Sequence, residues 1–131
     1  MNTEAVSELL QVAQHAEDLD RARAFYAKLL GTEPAGFFDP PGLLFFRAGG
    51  VRLLLEKGAP SAMIYLKVDD VAAAVEALRA DGVEIVAEPH LIFTHRDDRL
   101  GPAGTEERMA FFRDSEGNVV GLVSHDPIRQ T

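Results

Sequence analysis

The sequence predicts an α+β fold of two tandem βαβββ modules. Three observations carry this: a strand–helix pattern that occurs twice, a constant offset that superposes the two copies, and two hairpin connectors of matching composition. Module one spans about residues 9–56 and module two about 62–124, within a single domain of residues 1–131.

The first strand is the apolar-rich run from Leu9 to Ala16. After Glu17-Asp18, the residues Leu19, Ala22, Tyr26 and Leu29 recur near the helical period up to Gly31. Asp18 is the expected N-cap and Gly31 the stop. The same order returns in Met63–Val68, Asp69-Asp70, and a helical face of Val71, Ala74, Val75 and Leu78 that ends before Gly82. A shift of 52 residues sets Gln11 on Met63, Val12 on Ile64, Asp18 on Asp70 and Ala22 on Ala74, with Gly31 against Gly82 one step out of register. Such self-similarity marks an internal repeat.

Three strand-like runs follow each helix: Gly36–Asp39, Leu43–Arg47 and Arg52–Glu56, then Val83–Ala87, Arg108–Arg113 and Val119–Ser124. The connectors Phe45-Phe46-Arg47-Ala48-Gly49-Gly50 and Phe111-Phe112-Arg113-Asp114-Ser115-Glu116-Gly117 both run from an aromatic pair and an arginine into a glycine turn. Asp39-Pro40-Pro41-Gly42 and Gly101-Pro102-Ala103-Gly104 read as turns.

Composition narrows the function classes. With 131 residues, 47% hydrophobic and 26% charged, the chain can bury an ordinary core. The absence of cysteine excludes a disulfide framework, a thiolate metal site and a cysteine nucleophile. A net charge of −8, with thirteen basic residues scattered along the chain, opposes phosphate backbones and anionic lipid. Neither nucleic acid nor membrane is an expected partner. The N-terminus lacks a basic region followed by an apolar run, so the expected location is cytoplasmic.

Val12–Gly31, VAQHAEDLDRARAFYAKLLG, and Phe111–Val123, FFRDSEGNVVGLV, resemble the opening strand-helix and closing hairpin of the vicinal oxygen chelate (glyoxalase / bleomycin-resistance / dioxygenase) superfamily. The resemblance implies mixed sheets curved around a cavity that binds ligand, often in a homodimer. In metal-dependent members of that family, four ligands come from the first and last strands of each module. The corresponding slots here are Gln11, Leu53, Met63 and Gly121. Only Gln11 suits a hard divalent ion, since leucine and glycine lack side-chain donors and a thioether prefers soft metals. No metal and no other cofactor is therefore expected. Glu56 would add a second donor under another register, but a face holding Leu53 and Leu55 excludes it.

Candidate ligand-binding residues are Gln11, Met63, Tyr65, His90, Glu107 and Phe111. Tyr65 and Lys67 share strand parity with Met63, and an apolar, aromatic wall with few polar anchors is the usual lining of a small-molecule site. Ordinary core packing is the plain alternative for Met63 and Phe111. The first module joins its helix-following strands by about four residues and the second by nearly twenty, Glu88–Glu106. This long connection reads as a lid or pocket wall with His90 pointing inward between Pro89 and Leu91-Ile92. Asp97, Asp98 and Arg99 within it read as solvated charge. His15, at the end of its strand, and His125, after the last one, read as solvated surface. The function expected is metal-independent binding of a small, partly apolar organic molecule, including sequestration. The alternative is a lyase or isomerase of the glyoxalase or epimerase type using a divalent metal.

Overall fold

The computed structural model describes residues 8–128. The chain divides into two compact units between Ala62 and Met63. The first contains β1 (Gln11–His15), α1 (Leu19–Leu30), β2 (Gly36–Phe38), β3 (Leu43–Ala48) and β4 (Val51–Glu56). The second contains β5 (Ile64–Lys67), α2 (Val71–Ala80), β6 (Ile85–His95), β7 (Thr105–Arg113) and β8 (Val119–Pro127). Strand order is β1-β4-β3-β2 in one sheet and β5-β8-β7-β6 in the other. In each, the outer pair β1·β4 or β5·β8 is parallel and the remaining pairs are antiparallel. The two βαβββ modules read from the repeat therefore share one topology.

The helix ends follow from the residues that mark them. Asp18 caps α1 by accepting from the Arg21 amide at 3.0 Å, and Gly31 takes the left-handed conformation, φ +67°, that closes it. Asp70 caps α2 through the Ala73 amide at 3.1 Å. There the helix is two residues shorter than α1 and is capped by Asp81, with Gly82 supplying the positive φ one residue past the cap, and the two differences net the one-step slip seen in the repeat.

Each helix covers one face of its own sheet. In the first unit Ala22 and Tyr26 of α1 are buried, with the Tyr26 ring 6.2 Å from that of Phe46. Leu44 and Phe46 pair across the ladder with Leu55 and Leu53, and all four are buried. Gln14, also fully buried, satisfies its amide through both backbone groups of Ala62. In the second unit Val71 and Val75 of α2 are buried with Ala110, Phe112, Val120 and Leu122. Burying a side chain of this size contributes about 1.5–3 kcal/mol.

Two expectations are corrected. Gln11 pairs with Arg52 and Val12 with Leu53, so Leu53 shares the helix-covered face, while Leu54 and Glu56 lie on the face of Gln11, Ala13 and His15. The run Leu53-Leu54-Leu55 has no polar alternation to reveal this. The segment Glu88–Glu106 is not a long loop. Residues 88–95 continue β6, β7 begins at Thr105, and a tip of residues 96–104 connects them. Register shifts on either side of Ala87 and between Leu91 and Phe93 accommodate Pro89, which cannot donate to a ladder.

Candidate functional site

The candidate site lies on the face of the second sheet opposite α2. Ladder pairing sets Tyr65 beside Gly121 and Gly121 beside Phe111. Further along the same face, Lys67 and Met109 flank Val123, His90 flanks Met109, and Glu107 lies between Phe93 and His125. One end is therefore aromatic and the other carries two imidazoles and a carboxylate.

Gly121 explains the aromatic end. A Cβ at this position would fall 2.6 Å from Cδ2 of Tyr65 and 3.1 Å from Cε1 of Phe111, so the strand needs a residue without a side chain. The two rings meet edge to face, centroids 6.0 Å apart. Tyr65 is nevertheless 52% exposed, a large apolar surface outside the packed core. Met63, just before β5, is equally exposed.

The polar end is built by strand extension. His95 Nε2 donates to Glu107 Oε1 at 2.7 Å, and His125 Nε2 donates to the same oxygen at 3.1 Å. His95 is 2% exposed and flanked by Phe93, ring centroids 4.9 Å apart. Burial acts to raise the Glu107 carboxyl pKa, but the hydrogen bonds and charges of His95 and His125 outweigh it and hold the group below its ordinary value. His125 Nδ1 is buried without a hydrogen-bond partner. Among the described residues, His95, Glu107 and His125 form a group able to hold a metal ion.

The structure thus brings Tyr65 and Phe111 together and places Glu107 on the same face. His90 differs from expectation: its side chain is exposed, not held inward, and Nδ1 donates to the Glu88 carbonyl at 2.8 Å, leaving Nε2 as an acceptor. Glu107 is partnered by His95 and His125. Gln11 stands in the first unit, on the face of its sheet opposite α1, with a buried Oε1 that lacks a hydrogen bond.

His125 is not the solvated residue expected, because β8 runs on to Pro127 and buries most of it. His15 is also engaged, through Nδ1 and the Ala59 carbonyl at 3.1 Å. Asp97, Asp98 and Arg99 are exposed, as their composition suggests. His95 lies within the segment that the sequence presents as a loop. Strand parity was the signal that could have found it, since Phe93 and His95 alternate as Glu107, Met109 and Phe111 do.

The four metal slots that the resemblance implies do not fit a divalent ion. Gly121 has no side chain, Met63 offers sulfur, the slot on β4 supplies no donor whether it is Leu53 or its face-corrected neighbour Leu54, and Glu56, which pairing sets on the face of Gln11, would bring the donors in that scheme only to two.

Residues 8–122 match the Glyoxalase/Bleomycin resistance protein/Dioxygenase superfamily. The antibiotic-binding protein TnmS3 from Streptomyces sp. CB03234 is similar in structure, with TM-score 0.70 and 23% identity over 95% of this chain and 99% of its own. The lactoylglutathione lyase of Agrobacterium tumefaciens gives TM-score 0.67 and 23% identity over 92% and 96% of the two chains. An integron cassette protein from the mobile metagenome of V. Cholerae gives 0.69 and 21% over 94% and 98%. No curated protein matches. No helix among the described residues is long and apolar enough to cross a membrane. The chain belongs to the glyoxalase/bleomycin resistance protein/dioxygenase superfamily.

Proposed function

We propose that the protein binds a small, partly apolar organic molecule, in the cytoplasm and without a metal in the family's four slots. The observation that carries this is the Tyr65–Phe111 pair over Gly121, an aromatic surface half open to solvent on a face that the helix leaves free. Aromatic walls with a few polar anchors suit such ligands. His90 Nε2 offers an acceptor beside this surface. Gln11, on the sheet of the first unit, offers a buried amide oxygen with no protein partner. The antibiotic-binding relative supports sequestration as the use of this binding, and sequestration requires no catalytic group.

A homodimer is part of the proposal. The edge strand β6 exposes Val86, Leu91, Ile92 and Phe93, and an edge of this length and apolarity calls for cover. Light scattering at micromolar concentration should give twice the 14.3 kDa chain mass, and a monomer mass would remove this element.

The test of binding is a thermal-shift screen of a broad organic library in buffer containing EDTA. A ligand at 100 times its dissociation constant adds about 2.7 kcal/mol of apparent stability. Hits that persist in EDTA support the proposal. A screen without hits, or hits that vanish with EDTA, would contradict it.

A further inference from the structure

We propose that His95, Glu107 and His125 form a binding site for a transition-metal divalent cation of the zinc type, separate from the slots of the family's metal-dependent members. This goes beyond the ligand-binding reading and does not rest on it. The site is assembled wholly within the second unit, by residues near the ends of β6, β7 and β8 closest to the 96–104 tip.

The geometry of the cluster accommodates an ion. Metal bonds of about 2.0–2.1 Å to nitrogen and oxygen separate tetrahedral donors by about 3.3 Å. The two imidazole nitrogens already lie 2.7 and 3.1 Å from Glu107 Oε1, so small side-chain rotations open the cluster to that spacing. Two imidazoles and one carboxylate select zinc, nickel or cobalt over magnesium or calcium, and three protein donors leave a fourth position open.

Gly101 supplies an independent observation. A Cβ there would stand 2.9 Å from His95 Cε1, 3.0 Å from His95 Nε2 and 3.1 Å from His125 Nε2. Its backbone is not among the positive-φ glycines, so conformation does not demand a glycine at this point. Space does: the tip brings its backbone against the nitrogen edge of both rings and leaves out the one atom that would crowd it. The tip is held there by Gly104 N–H donating to His95 O at 2.8 Å and by Thr105 Oγ1 donating to Pro102 O at 2.6 Å. His125 Nδ1 is buried without a hydrogen-bond partner, so it carries no bond that would have to break when coordination shifts the ring proton onto it. The present Nε2–H···Oε1 bonds fix protons on the nitrogens that would coordinate. Binding moves each proton to Nδ1 or, from a protonated ring, to solvent.

The test uses the intact protein, purified without a metal-affinity tag and stripped with EDTA. Zinc ion is titrated in while the ring nitrogens of all four histidines are followed by long-range ¹H–¹⁵N correlation. Saturation at one equivalent, with the Nε2 signals of His95 and His125 displaced and those of His15 and His90 unmoved, is expected. Glu107→Gln, which keeps an acceptor of the same shape, should weaken uptake at least tenfold. Gly101→Ala should do the same without removing a donor. Absence of saturable binding, or displacement confined to His15 or His90, overturns the site, as does parent-like uptake in folded Gly101→Ala. If either variant fails to fold, the titration of the parent protein decides alone.

Discussion

Ala13, Leu54 and Phe45 occupy in the first unit the places that Tyr65, Gly121 and Phe111 occupy in the second. Topology is the same, but the bulk is redistributed. In the first unit the middle strand carries the large residue: Leu54 is buried between a small alanine and Phe45, itself covered by the Arg52 guanidinium 5.6 Å from its ring centre. In the second the middle residue is glycine, and Tyr65 leans across it towards Phe111. One sheet face is filled by its own side chains, whereas the other presents aromatic surface over a bare backbone. The strands β6, β7 and β8 also outgrow their counterparts, with 11, 9 and 9 residues against 3, 6 and 6. The added length carries His95, Glu107 and His125.

The aromatic pairs sharpen this contrast most. Phe46 and Phe112 are fully buried on the helix-covered faces, so Phe46→Ala and Phe112→Ala should each cost about 3–5 kcal/mol in chemical denaturation. Phe111→Ala, on the opposite face, should cost less than half as much and act on ligand affinity instead. Equal losses from Phe111 and Phe112 would break the division into a structural and a binding face.

Glu107 has no counterpart in the first unit. Replacing it by glutamine should cost about 1.5–3 kcal/mol near neutral pH, because the charge-assisted bonds from both imidazoles weaken. Its folded-state pKa is depressed, so the unfolded chain takes up the proton first as pH falls. The contribution is complete above the ordinary carboxylate value and disappears as pH drops through the lowered one. Urea midpoints of parent and Glu107→Gln should converge below about pH 4. A gap that stays constant with acidification would dissociate the carboxylate from stability.

Much of this architecture was legible in the chain. Asp18 with Gly31 and Asp70 with Gly82 announced both helices, because a carboxylate cap and a left-handed glycine each have a local physical cause. The hairpin at Asp114 was recognisable too, and its aspartate accepts from the Glu116 and Asn118 amides at 2.9 and 2.8 Å. Features depending on register were not. Leu53-Leu54-Leu55 offers no alternation, so the face of each leucine is set only by pairing with β1 and β3. Pro89 and the polar residues around His95 concealed the continuation of β6, which long-range pairing with β7 imposes. With that strand read as loop, His95, Glu107 and His125 could not be brought together.

Smaller effects refine the picture of the binding face. Gly121→Ala drives a methyl group against Tyr65, whose exposed ring can swing aside, so a stability loss of about 1 kcal/mol is expected together with loss of the aromatic pairing. A crystal structure of the variant with Tyr65 unmoved would contradict the close fit. His90→Ala removes one exposed hydrogen bond to the Glu88 carbonyl and should change stability by no more than about 1 kcal/mol. Ligand affinity should fall, and a parent value would remove His90 from the site.

The most direct test of the central claim compares the two units in one assay. A compound identified by the thermal-shift screen in EDTA is titrated by calorimetry into the parent protein, Tyr65→Ala and Phe45→Ala. If the second sheet's aromatic face is the binding surface, Tyr65→Ala weakens affinity at least tenfold, about 1.4 kcal/mol, while Phe45→Ala binds as the parent does. Parent-like affinity in folded Tyr65→Ala, or a larger loss from Phe45→Ala, would contradict it.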